Sequence, residues 1–143
     1  LAVSTILLGA GLRRVTPALL MQDLLQEMPP EAEYLCHDYR EPSLVHYADH
    51  SLRILRTPEE LEEAVESPGP RLIILTEEEI TLDAYARWRL HRLLGRPAEL
   101  KIQDHRSKYA ALDTSGYRTR TVEAVNIAKP RWIRLRVLFR FEG

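Results

Sequence analysis

The run Arg71-Leu72-Ile73-Ile74-Leu75 is the most apolar strand-like segment of the chain, and it carries no polar alternation. A strand with one wet face alternates; a continuous run must be covered on both faces, as in sheets flanked by helices. This segment is therefore expected to be the central strand of an α/β sheet. Helix signals stand on either side of it. Thr57-Pro58-Glu59-Glu60 places a hydroxyl at the cap, proline at the first helical position and glutamate at the third, a capping box that starts a helix with Leu61, Ala64 and Val65 on its buried stripe. Ser67-Pro68-Gly69-Pro70 ends that helix. After the strand, Thr76-Glu77-Glu78-Glu79 reads as a second box. It opens a helix that restarts near Thr81 and carries Leu82, Tyr85, Ala86, Trp88, Leu90, Leu93 and Leu94 opposite an arginine-rich side, closed by Gly95 and Pro97.

The same alternation extends upstream. Thr16-Pro17 reads as cap and first residue of a helix through Leu19, Leu20, Leu24 and Leu25 that stops at Pro29-Pro30. Glu33 to His37 and Leu52 to Leu55 read as strands, with a short helix from Pro42 to Ala48 between them. The last third changes character. Lys101 to Leu112, Tyr117 to Asn126 and Arg131 to Phe141 read as strands of an antiparallel meander, broken by Asp113-Thr114-Ser115-Gly116 and Lys129-Pro130. In the last of these, Ile133, Leu135, Val137, Phe139 and Phe141 share one face and Arg134, Arg136 and Arg140 the other, which predicts one core face and one wet face. The expected class is α/β: an alternating β-α-β half with a central apolar strand, then a C-terminal antiparallel meander, with helices packed on the sheet.

Length and charge bound the rest. At 143 residues with 45% hydrophobic and 29% charged content, the chain suits one domain, taken as 15–143. Residues 1–14 form an apolar lead-in ending at Arg13-Arg14. It reads either as the end of a spanning helix or as a buried strand or helix of the domain. Twenty Lys and Arg against 21 Asp and Glu leave no overall basic field, so no nucleic-acid partner is expected. One cysteine, Cys36, excludes an internal disulfide framework.

Few residues carry a chemical signal. His46 and His50, four apart around Asp49, have the spacing of two imidazoles on one helical face, and His37 would join them only if the fold allowed it. H-E-x-x-H is absent. Cys36 and His37 are neighbours on a strand, point to opposite sides and cannot share a proton, so Cys36 reads as a buried structural residue. Ser115 lies in a turn without the nucleophile-elbow pattern. There is no Gly-rich phosphate loop. The arginines of the last strand with Trp132 read as an exposed row of an ordinary strand. Either that row or the face with Arg87, Arg89, Arg92 and Arg96 suits a membrane surface or lipid phosphate, while Glu59 to Glu66 and Glu77 to Glu79 read as solvated helix starts. No catalytic, cofactor-binding or metal-ligating residue is assigned from these patterns.

Three segments in order carry a family resemblance: the apolar end running into a helix with Pro17, then Tyr39-Arg40-Glu41-Pro42-Ser43-Leu44-Val45-His46-Tyr47, then Val125-Asn126-Ile127-Ala128-Lys129-Pro130-Arg131-Trp132. Together they resemble the C-terminal extramembrane domain of large membrane glycosyltransferases that use a polyprenyl-phosphate sugar donor. Lipid A aminoarabinose transferases belong to that group, as do, more distantly, protein O-mannosyltransferases. His46 stands where the family tends to have an aromatic or apolar residue, and Ala124 and Pro130 stand where glycines are commoner. The resemblance implies a noncatalytic domain on the periplasmic or extracellular side, capping a membrane-embedded site or framing the acceptor. Its partners would be the membrane-embedded part of the same chain, lipid head groups or a glycan or lipid acceptor. Within the matched motif, Glu41 to Leu44 is structural: Pro42 presets a helix entry and Ser43 satisfies an early backbone N–H. The competing reading is a free-standing α/β ligand-binding or regulatory module with His37, His46 and His50 as its most ligand-like cluster.

Overall fold

The computed structural model describes residues 21–38, 52–126 and 130–142. The lead-in 1–14, the helix start at Thr16-Pro17, the short helix 42–48, His46 and His50 lie outside the described residues. Among those described, the elements are α1 (Gln22–Glu27), β1 (Glu33–His37), β2 (Leu52–Leu55), α2 (Pro58–Glu66), β3 (Arg71–Thr81), α3 (Leu82–Leu93), β4 (Gln103–Asp104), a 3-10 turn (Arg106–Tyr109), β5 (Arg118–Asn126) and β6 (Arg131–Arg140). The strands form one mixed sheet in the order β2-β1-β3-β6-β5, with β4 pairing to the far part of β3. The class is α/β, as expected, with a C-terminal antiparallel hairpin.

Central placement of β3 follows from its side chains. Leu72, Ile73, Ile74 and Leu75 are all fully buried, and they divide between two cores by the period-2 rule. Leu72 and Ile74 join Met21, Leu24, Leu25 and Met28 of the α1 region together with Tyr34, Cys36, Leu135 and Val137. Ile73 and Leu75 meet Leu61, Ala64 and Val65 of α2, with Leu35, Tyr109 and Leu138. One edge of β3 pairs in parallel with β1, Cys36 opposite Ile74. The other pairs antiparallel with β6, Ile74 opposite Val137. The cap of α2 forms as expected: Glu60 N–H donates to Thr57 Oγ1 at 3.1 Å, while the glutamate carboxylate returns to the backbone N–H of Arg56 at 3.0 Å.

Three expectations are corrected. The glutamates after Thr76 do not open a helix, because β6 runs alongside and holds them in the ladder: Glu78 pairs with Arg134, Glu79 with Ile133, after a bulge that falls between Thr76 and Glu78. Thr76 Oγ1 donates to the Asp38 carbonyl at 3.0 Å, and Thr81 takes the capping role, its Oγ1 accepting from Ala84 N–H at 3.1 Å. The stretch from Lys101 to Leu112 contributes only the two-residue β4. Asp104 then accepts from the backbone and guanidinium of Arg106, turning the chain into the 3-10 turn that buries Tyr109. The arginine face of β6 is not wet: Trp132 and Leu138 on that face are fully buried, Arg134 and Arg140 are bonded within the protein, and Arg136 is half-buried with its Nε unpartnered.

Because Leu135 is fully buried beneath α1, Leu135→Ala is expected to cost about 2–5 kcal/mol, read as a lower urea midpoint at unchanged slope. Leu93→Ala, on an exposed surface, should stay within about 0.5 kcal/mol of the parent in the same measurement.

Candidate functional site

In open α/β sheets a ligand is held outside the carboxyl ends of the parallel strands where the strand order reverses. Here that position lies between β1 and β3, because β1 has β2 on its other side while β3 has β6. It is marked by His37, the last residue of β1, and Thr76 of β3. The chain fills it with its own side chains. Nδ1 of His37 and the hydroxyl of Tyr109 share a hydrogen bond of 2.9 Å, 72 residues apart in sequence, with their rings edge to face at 5.6 Å. Both side chains are buried. Asp38 follows in a left-handed conformation, φ 57°, one that aspartate tolerates better than most residues. Its carbonyl accepts from Thr76, and its carboxylate accepts from Lys108 Nζ at 3.0 Å and lies 3.5 Å from His37 Nδ1.

Burial sets the protonation here. It lowers the pKa of His37, a shift that Asp38 opposes and Lys108 and His105 reinforce, so the imidazole is held neutral. Burial likewise pushes the Tyr109 phenol well above its ordinary value, with Asp38 adding to the effect. For Asp38 burial acts upward, but the hydrogen bond from Lys108 and the charges of His37, Lys108 and His105 outweigh it and leave the carboxyl below its usual range.

Arg134 and Arg140 of β6 are equally committed. Arg134 bridges Glu123 of β5 at 2.7 Å and Glu78 of β3 at 3.4 Å and lies over the Trp132 ring. Arg140 donates to the carbonyls of Ser67 at 2.6 Å and Gly69 at 2.8 Å, above the Tyr117 ring. Arg106 binds Asp104, whose carboxyl is held down to about 2 by those hydrogen bonds, and reaches Glu78 at 3.4 Å. Two of the three arginines read as an exposed stripe, Arg134 and Arg140, are internal clamps. Ser115 sits in a turn, as expected, its N–H donating to Asp113 Oδ1 at 3.1 Å. Cys36 is buried in the α1 core, on the opposite side of the sheet from Tyr109. Among the described residues no group of three or more His, Cys, Asp or Glu could hold a metal.

One surface differs from all of this. α3 leaves the Thr81 end of β3, tied by Leu82 N–H to the Pro130 carbonyl at 3.0 Å, and not one of its side chains is buried. Its end is fully capped: Gly95 N–H donates to the Arg92 carbonyl and Arg96 N–H to that of His91, with Gly95 at φ 69°. Leu90, Leu93 and Leu94 are 56, 77 and 56% exposed, although their periodicity reads as a buried stripe. Half-buried Ala84, Tyr85 and Trp88 occupy the other side. Between α3 and the chain that follows runs a groove of about 340 Å³ with Arg87, Trp88, His91, Glu99 and Lys101 on its walls. Sequence reasoning found the arginines of α3 and its leucines but not that the leucines face outward. The His37–Tyr109 pair carried no local signal at all.

Compared with protein-family models, with curated proteins and with solved structures, the chain gives no match.

Tyr109→Phe removes a partner of buried His37 and is expected to cost about 1–3 kcal/mol of unfolding free energy. Since the folded state lowers the His37 pKa, the unfolded chain takes up the proton first as pH falls, so stability drops below about pH 6.5 and is highest above it. Urea unfolding at pH 7.5 and 5.5 should show that drop in the parent and a smaller one in His37→Gln.

Proposed function

We propose that this chain is a noncatalytic extramembrane domain of a membrane glycosyltransferase that takes its sugar from a polyprenyl-phosphate donor, facing the periplasm or cell exterior and capping the membrane-embedded site. The ordered motifs from Tyr39 to Tyr47 and from Val125 to Trp132, in a chain of α/β class, support the family reading. The observation that carries the noncatalytic role is the closed switch point of the sheet. The position where such a fold would hold a ligand is occupied by Tyr109, hydrogen-bonded to His37. Arg134, Arg140 and Arg71 are spent in the same way on Glu78, Glu123 and backbone carbonyls. A domain built like this is a rigid support, and acid-base work falls to the membrane-embedded part of the same protein.

The reading is tested on the gene and on the chain. The reading frame upstream of Leu1 is expected to encode successive apolar spans of about 20 residues, with acidic residues in an early extramembrane loop, and the 143-residue chain alone should transfer no sugar from a polyprenyl-phosphate donor. Turnover by the chain alone, or a start codon directly before Leu1, would overturn the proposal.

A further inference from the structure

The surface of α3 lacks a partner within the described residues. The four large hydrophobic side chains that are exposed there, Leu90, Leu93, Leu94 and Ile102, lie within one stretch of thirteen residues, with Ile102 44% exposed. At 3.6 residues per turn, Ala86, Leu90 and Leu93 stand in one row with Leu94 beside it. Arg89 flanks that row on one edge and Arg87, bridged to Asp83 at 2.8 Å, on the other, while Arg96 follows just past the helix end. The half-buried Tyr85 and Trp88 face back toward the domain. From residue 82 to 102 there are five Lys or Arg against two Asp or Glu, a local charge of +3 in a chain of net charge -1.

We infer that α3 docks flat on an anionic phospholipid surface, its leucines entering the acyl boundary and its arginines and Lys101 holding headgroup phosphates. Charge complementarity selects this occupant. A guanidinium on a long apolar stem reaches up past a buried leucine to a phosphate and binds it in two-pronged fashion, which is how interfacial helices combine an apolar row with a basic rim. The acidic face of α2 adds a second charge. α2 carries Glu59, Glu60, Glu62, Glu63 and Glu66 and no Lys or Arg, and it packs over Ile73 and Leu75 in the first half of β3. α3 starts where β3 ends, beyond the part of the strand that α2 covers. An anionic surface attracts the basic α3 and repels the acidic α2. The groove beside α3 carries Arg87, His91 and Lys101 against one carboxylate, Glu99. This inference deepens the membrane placement proposed above by naming the lipid as a partner.

The test is flotation of the 143-residue chain with vesicles of phosphatidylcholine alone or with about one third phosphatidylglycerol. No sugar donor is involved, so a failure here overturns lipid docking and leaves the transferase reading to its own assay. The chain is expected to float with the anionic vesicles and at least about tenfold less with neutral ones, and to be released as salt rises toward 1 M, where screening is short-ranged. Arg89→Gln with Arg96→Gln should weaken binding about tenfold or more. Leu90→Ser with Leu93→Ser should abolish it, with the far-ultraviolet circular dichroism unchanged because both leucines are exposed. That double variant keeps residues 1–20, so undiminished flotation would assign binding to another part of the chain and overturn the inference. Equal binding to both vesicle types would overturn it too. So would competition by millimolar inorganic phosphate at constant ionic strength without any effect of the leucine changes, which would mark an anion site. A dimer in sedimentation that the leucine changes dissolve, without flotation of the parent, would make a second copy the occupant and overturn it as well.

Discussion

Four consecutive side chains, Leu72 to Leu75, cannot meet water on either side of the sheet without a large penalty, since each is worth roughly 1.5–3 kcal/mol when fully buried. That requirement organises the molecule. It puts β3 in the interior, brings the α1 region over Leu72 and Ile74, and brings α2 over Ile73 and Leu75. With both faces and both edges of its first half occupied, β3 becomes the axis against which every other strand is registered. β1 and β2 add in parallel on one edge. The β5–β6 hairpin joins on the other, with β6 innermost because it is the strand apolar enough to lie next to β3.

The second half of β3 obeys a different rule. Glu78 is buried beside Trp132 and Arg134, and a buried carboxylate is tolerable only when paired and hydrogen-bonded. Arg134 and Arg106 supply that pairing, Arg131 does the same for Glu79, and the same contacts fasten β4, β5 and β6 to one another. The His37–Tyr109 bond closes the end of the parallel strands by the same principle. Polar side chains that suggest chemistry in isolation are thus largely used to satisfy one another, and among the described residues the apolar side chains left exposed are gathered on and just after α3.

How much of this could be read beforehand depends on the range of the interaction. β1, β2, α2, the Thr81 start of α3, β5 and β6 are announced by local patterns: a proline pair before Glu33, the Thr57 cap, the turn at Asp113 to Gly116, the alternation after Arg131. The misread stretches share one cause. Thr76 to Glu79 has the composition of a helix start, yet the ladder with β6 supplies backbone hydrogen bonds that a first helical turn lacks, and tertiary pairing prevails over a local cap. Arg134 and Arg140 look like a wet row until Glu78, Glu123 and two carbonyls from the loop before β3 are brought beside them. Leu90 and Leu93 have the spacing of buried residues, but α3 departs from the end of β3 with no layer above it among the described residues.

What the amino-acid sequence determined by itself is therefore the class of fold, the centrality of β3, most element boundaries and the structural character of Cys36, because propensity, capping and period-2 burial act over a few residues. Only the tertiary structure decided which polar groups are spent and which side is open. Tyr109 meets His37 across 72 positions, Arg140 meets Gly69 across 71, and the outward turn of Leu93 depends on where β3 stops. Contacts at that separation are set by strand order and register, quantities that no local pattern carries.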